Sequence, residues 1–105
     1  MIVMNEKLYH EALAGETPVL VEVLAPWCVY CRRIGPALQR VAQQNRDSRV
    51  VGQVNFDDHP ELARSEQIEV VPTLVLYHRG EARGSIVAPE SRARIEEFLA
   101  DYLDV

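Results

Sequence analysis

Trp27-Cys28-Val29-Tyr30-Cys31 constrains the fold more than any other stretch. It sets the only two cysteines of the chain one helical turn apart, where an apolar strand hands over to a helix. The run Val19 to Ala25 has the length and β-branched content of a buried strand. Beyond Pro26, residues Arg32 to Gln44 carry Ile34, Leu38, Val41 and Ala42 near helical spacing. Two thiols at the mouth of a helix can close a small disulfide ring and open it again. Cys28 would sit among unpaired helix N–H groups and the positive end of the dipole, which favours thiolate over thiol. Thiolate is the nucleophile of disulfide exchange, and Cys31 is placed to resolve a mixed disulfide. A Cys-x-x-Cys in a βαβ setting therefore reads as a redox motif. A structural zinc site needs about four ligands, and neither a second cysteine pair nor a ligand-spaced pair among His10, His59 and His78 supplies them. A purely structural disulfide is less attractive still, because so short a loop removes little unfolded-chain entropy.

At 105 residues the chain is expected to form one domain, spanning residues 1–105. The net charge of −5 gives no support to nucleic-acid or anionic-membrane binding. Residues Met1 to Lys7 lack the basic region and long apolar segment of a signal peptide, and no run approaches the apolar length of a transmembrane helix. With no spare cysteines for structural bridges, a reducing cytoplasm fits best. Strands and helices alternate without repeats or low-complexity segments. Strands are expected over 2–4, 19–25, 49–56, 73–78 and 84–88, with a turn at Arg79-Gly80-Glu81. Asn5 can cap a helix over 6–14, closed by Gly15 and Pro18. Pro36 should kink the cysteine-bearing helix, and Pro60 opens a short helix through Gln67 with Asp58 or His59 near its cap. Ser91 can cap a last helix with Ile95, Phe98, Leu99, Tyr102 and Leu103 as its buried stripe.

Several further segments stand in order with the cysteine motif: Val21 to Cys28, Pro36 in the helix, Val54-Asn55-Phe56-Asp57, Val71-Pro72-Thr73, Gly80-Glu81, and Glu97-Phe98-Leu99. Across nearly its whole length the chain resembles the thioredoxin family in these motifs. The resemblance implies an α/β thioredoxin fold, with a five-stranded mixed sheet in order 1-3-2-4-5 and two helices on each face. It implies dithiol–disulfide exchange with Cys28 attacking and Cys31 resolving, and no cofactor beyond that disulfide. Partners would be disulfide-containing proteins and an upstream donor, either a thioredoxin reductase-like enzyme or glutathione, with the protein acting as a monomer. It also implies a cis bond before Pro72, although only about 5–6% of X–Pro bonds in folded proteins are cis. The backbone of Val71 then becomes an edge with which an extended substrate pairs.

The remaining site residues carry two readings each. Trp27 is either core or a flat apolar contact that shields the thiolate, and the resemblance favours the second. Glu22 is the only charge in its strand. It either reaches solvent or a polar neighbour at the sheet edge, or it shuttles the proton of Cys31. The family usually has aspartate there, with lysine at the position of Gln53. Arg32 and Arg33 either solvate a helix face, which is the commoner use, or bias Cys28 and select an acidic partner. Tyr9, Tyr77, Tyr102, Met1 and Met4 read as packing or surface residues.

The chain departs from the family in three places. Val29-Tyr30 replaces Gly-Pro between the cysteines. Tyrosine there is reminiscent of glutaredoxins and some isomerases, yet residues 74–90 hold no Gly-Gly of a glutathione site. Ala88-Pro89 replaces a glycine-containing turn that borders the family's substrate groove. The expected substrate-contacting set is thus Trp27, Val29, Tyr30, Val71, Pro72 and Ala88. The expected function is reduction of protein disulfides, against a glutaredoxin-like or isomerase-like protein, or an interaction module whose redox activity is incidental. With tyrosine in place of proline, a less reducing potential than that of Gly-Pro thioredoxins is expected.

Overall fold

A computed structural model describes residues 1–102. The chain runs β1 (Ile2–Val3), α1 (Glu6–Ala14), β2 (Val19–Leu24), α2 (Val29–Asn45), β3 (Val50–Asn55), α3 (Pro60–Ser65), β4 (Thr73–His78), β5 (Glu81–Val87) and α4 (Arg92–Ala100). The strands form one sheet in the order β1-β3-β2-β4-β5, as the resemblance implies. β1 and β2 pair parallel to β3, whereas β4 runs antiparallel to β2 and β5. None of the described helices is long and apolar enough to cross a membrane.

β2 lies at the middle of the sheet, and side-chain alternation sends its residues to two different cores. Val19, Val21 and Val23 pack with Tyr9, Leu62, Ile68 and Tyr77. Leu20 packs on the opposite face with Ile34, Leu38, Val41, Ile95 and Phe98. Burial on both faces explains why this strand reads as a continuous apolar run. Fully burying each such side chain stabilises the fold by roughly 1.5–3 kcal/mol. α2 continues through Pro36, whose exposed ring sits away from the buried stripe Ile34, Leu38 and Val41. Asn5 caps α1 by accepting the Leu8 N–H, and Ser91 caps α4 by accepting the Arg94 N–H. Leu103 of the expected last stripe lies outside the described residues.

Several boundaries differ from expectation, and two of the differences, at α3 and β5, have a local reason. β1 stops at Val3 and β2 at Leu24, while β3 begins at Val50 and stops at Asn55. α3 ends at Ser65 rather than Gln67. Gln67 takes φ +59, and the bonds Ile68 N–H to Ala63 O and Gln67 N–H to Arg64 O close the helix in a Schellman motif. His59, not Asp58, occupies the cap position, without a side-chain bond. β5 spans 81–87 rather than 84–88. Its pairing shifts register between Leu76 and Tyr77, which are matched to Gly84 and Ala82 and leave Arg83 as the extra residue. That bulge breaks the alternation by which the first half of the strand would be legible.

Candidate active site

The sheet order brings the ends of four elements side by side along one edge. Asp57 follows β3, Cys28 follows β2, Val71-Pro72 precedes β4, and Ala88-Pro89 follows β5. After β2 the chain turns sharply, with the Cys28 N–H bonded to the Ala25 carbonyl, and α2 begins at once. Cys28 is the N-cap of α2. Its Sγ accepts the Cys31 N–H at 3.1 Å, filling the role that a serine or aspartate oxygen usually plays at such a position. An N–H at the positive end of a helix is thereby aimed at the sulfur that must carry negative charge during attack.

Both cysteines are free thiols and both are buried. The Cys28 thiol donates to the Val71 carbonyl at 3.8 Å. The Val71–Pro72 bond is cis, as the resemblance implies. Around the sulfurs, Ala25, Leu24, Tyr30, Phe56 and Val71 form an apolar collar. Burial, followed by the hydrogen bond to Cys28, pushes the Cys31 pKa up to about 12, and the charges of Cys28 and Glu22 add to it. Cys31 therefore keeps its proton at neutral pH and needs a base in order to attack.

Glu22 does not sit at a sheet edge. It lies on the central strand between Gln53 of β3 and Leu74 of β4, with 1% of its surface exposed. One carboxylate oxygen accepts the Gln53 Nε2–H at 3.0 Å, and the other has no partner among the protein atoms. Burial raises its pKa, only partly offset by the Gln53 bond. A carboxyl so placed keeps its proton to a higher pH than an exposed one.

The two aromatic neighbours of Cys28 are tethered in opposite directions across the sheet edge. Trp27 is 62% exposed, yet its indole N–H donates to both carboxylate oxygens of Asp57, at 2.9 and 3.2 Å. Half-buried Tyr30 donates its hydroxyl to the Pro89 carbonyl at 2.8 Å. Val29 is exposed, and Ala88 is held at φ +45 by its N–H bond to the Pro72 carbonyl. The structure thus gathers Cys28, Cys31, Trp27, Val29, Tyr30, Val71, Pro72 and Ala88 at one edge, with Glu22 beneath it. Arg32 donates to the Pro26 carbonyl at 3.3 Å and so braces the turn before Cys28, while Arg33 is exposed. Pro89 and Gln53 were legible only as positions where the chain departs from the family, not through the bonds they make to Tyr30 and Glu22, and Asp57 was not legible as a site residue. Asp57 ends the segment Val54-Asn55-Phe56-Asp57, but no sequence spacing ties it to Trp27.

Comparison with known proteins agrees with this arrangement. The family model for thioredoxin matches residues 1–101. A thioredoxin of Alicyclobacillus acidocaldarius is 31% identical over 100 residues, covering 95% of this chain and 95% of its own. Thioredoxin 1 of a Nostoc species is 31% identical over 101 residues, covering 96% of this chain and 94% of its own. The bifunctional thioredoxin reductase/thioredoxin of Mycobacterium leprae is 30% identical over 101 residues, and this chain spans only 22% of that protein.

Proposed function

This chain is a thiol–disulfide oxidoreductase of the thioredoxin family, and on that premise we propose that it reduces protein disulfides with Cys28 attacking and Cys31 resolving. The observation that carries the assignment is the N-cap position of Cys28, where its sulfur accepts the Cys31 N–H. In the first step the Cys28 thiolate attacks one sulfur of the substrate disulfide, and the other sulfur leaves as a thiolate that takes up a proton. In the second, Glu22 accepts the Cys31 proton, and Cys31 attacks Cys28 Sγ. The Cys28–Cys31 disulfide forms, the second substrate sulfur leaves and is protonated, and two electrons have passed to the substrate. The free carboxylate oxygen of Glu22 and the raised Cys31 pKa support this division of labour.

Trp27, Val29, Val71 and Ala88 line the mouth of the groove, where an extended substrate segment would pair with the Val71 backbone beside Pro72. One chain supplies both sulfurs and the buried acid, so a monomer suffices. The reaction needs no cofactor beyond the two sulfurs. The electron donor is a thioredoxin reductase-type enzyme rather than glutathione, and the reducing compartment is the cytoplasm. A relative named as both reductase and thioredoxin supports that donor. The test is reduction of insulin disulfides with NADPH and thioredoxin reductase, and separately with glutathione and glutathione reductase. Turnover with the first system is expected. Turnover with glutathione alone would favour the glutaredoxin-like reading, and none with either would favour the interaction module.

A further inference from the structure

Tyr30 stands between the two cysteines but does not point at them alone. Its hydroxyl reaches the Pro89 carbonyl at 2.8 Å, so its ring spans from the start of α2, past the start of β4, to the end of β5. The corner it meets is unusual, because Ala88 holds φ +45, a region in which a residue with a Cβ is strained. Such a conformation persists only where its surroundings over-determine it. Here one bond secures each side of the corner: Ala88 N–H to Pro72 O at 2.8 Å, and Tyr30 O–H to Pro89 O. The corner follows directly on Val87, which is exposed and pairs with Thr73, the residue after Val71-Pro72.

We infer that Tyr30 is a positioning residue that fixes the Ala88-Pro89 wall of the groove and so sets which polypeptide segments fit beside Cys28. The inference rests on the proposed reduction of protein disulfides and assigns its selectivity to one hydroxyl. A long substrate segment must pass the wall on its way to Cys28, whereas a small disulfide need only reach the sulfur. Tyr30→Phe keeps the ring in the apolar collar and removes only the tether.

The test compares kcat and KM of wild type and Tyr30→Phe on insulin and on a small aromatic disulfide, with the same reductase. Wild-type turnover of insulin first establishes the underlying reaction, so failure there is distinct from failure of the inference. For insulin, a loss in kcat/KM of about three- to tenfold is expected, carried mainly by KM, the size that losing one neutral hydrogen bond implies. The small disulfide should lose less. A background of Ala88→Gly separates the wall from general damage, since glycine takes positive φ without strain. There, Tyr30→Phe should change insulin KM by about twofold or less, a coupling that a merely structural role would not produce. Equal losses on both substrates, an unchanged insulin KM, or the same loss in both backgrounds would overturn the inference.

Discussion

Single residues at this site are defined by what their neighbours leave them free to do. Cys28 caps a helix with its sulfur, so its reactivity and the start of α2 depend on the same contact. Cys28→Ser is expected to abolish disulfide reduction even though a serine oxygen can cap equally well. Cys31→Ser should instead accumulate mixed disulfides through Cys28, detectable as adducts by mass spectrometry. Faster alkylation of Cys31 than of Cys28 at neutral pH would reverse the two roles. Glu22 is the costlier residue, a buried carboxyl with one oxygen unpartnered among the protein atoms. Glu22→Gln should slow resolution of the mixed disulfide in single-turnover experiments while sparing the first attack. It should also stabilise the fold by roughly 1 kcal/mol. The sign with pH follows from the raised pKa. The folded state holds the proton more tightly than the unfolded chain, so stability is greatest below the ordinary glutamate pKa and falls as pH rises through the folded value. Urea titrations should show that fall in wild type and its absence in Glu22→Gln. Identical profiles would mean that Glu22 carries no proton in this range.

Elements whose burial leaves an unbroken pattern along the chain were the legible ones. β2 announced itself as an apolar run because it separates two cores, and α2 through Ile34, Leu38 and Val41 on one stripe. β5 was only half legible, because Glu81, Ala82 and Arg83 are all exposed and a bulge displaces the alternation. The hairpin ahead of it shows the same gap between pattern and geometry. Arg79 and Gly80 form a two-residue connection with φ +54 and +81, the signature of a type I′ turn. Glycine suits that geometry, and arginine does not. Asparagine tolerates positive φ because its short side chain bonds locally, and Asn-Gly is the preferred pair. Arg79→Asn is therefore expected to stabilise the protein by about 0.5–1 kcal/mol. Thermal unfolding should rise by a few degrees, and a fall in melting temperature would show that the Arg79 side chain contributes more than its backbone strain removes.

At the scale of the whole molecule, strand order decides what the active-site edge can contain. The order β1-β3-β2-β4-β5 sets Asp57, Cys28, Pro72 and Pro89 in a row, although they are far apart in sequence. The motifs with family spacing were legible in the sequence. The tethers Trp27 to Asp57 and Tyr30 to Pro89 were not, since they join residues whose proximity exists only once the sheet has formed. The same holds on the face opposite α2, where three elements meet through polar side chains that read only as packing. Tyr77 of β4 donates its hydroxyl to Glu66 at the end of α3 and packs edge-on against Tyr9 of α1, with ring centroids 5.7 Å apart. Burial raises the Tyr9 pKa from 10.0 to about 12, and burial and the bond to Glu66 push Tyr77 upward as well. Each hydroxyl thus keeps its proton in the folded state above the pH at which the unfolded chain releases it. The Tyr9 contribution to stability is complete below pH 10.0 and is lost as pH climbs toward about 12, and that of Tyr77 declines in the same direction. Wild-type unfolding free energy, measured by urea titration, is expected to fall steeply over that interval. Tyr77→Phe removes one of the two titrations, so its profile should start lower at neutral pH, where Glu66 loses its donor, and fall less on the alkaline side. Parallel profiles for the two proteins would show that the tyrosine cluster holds α1, α3 and β4 together by packing alone.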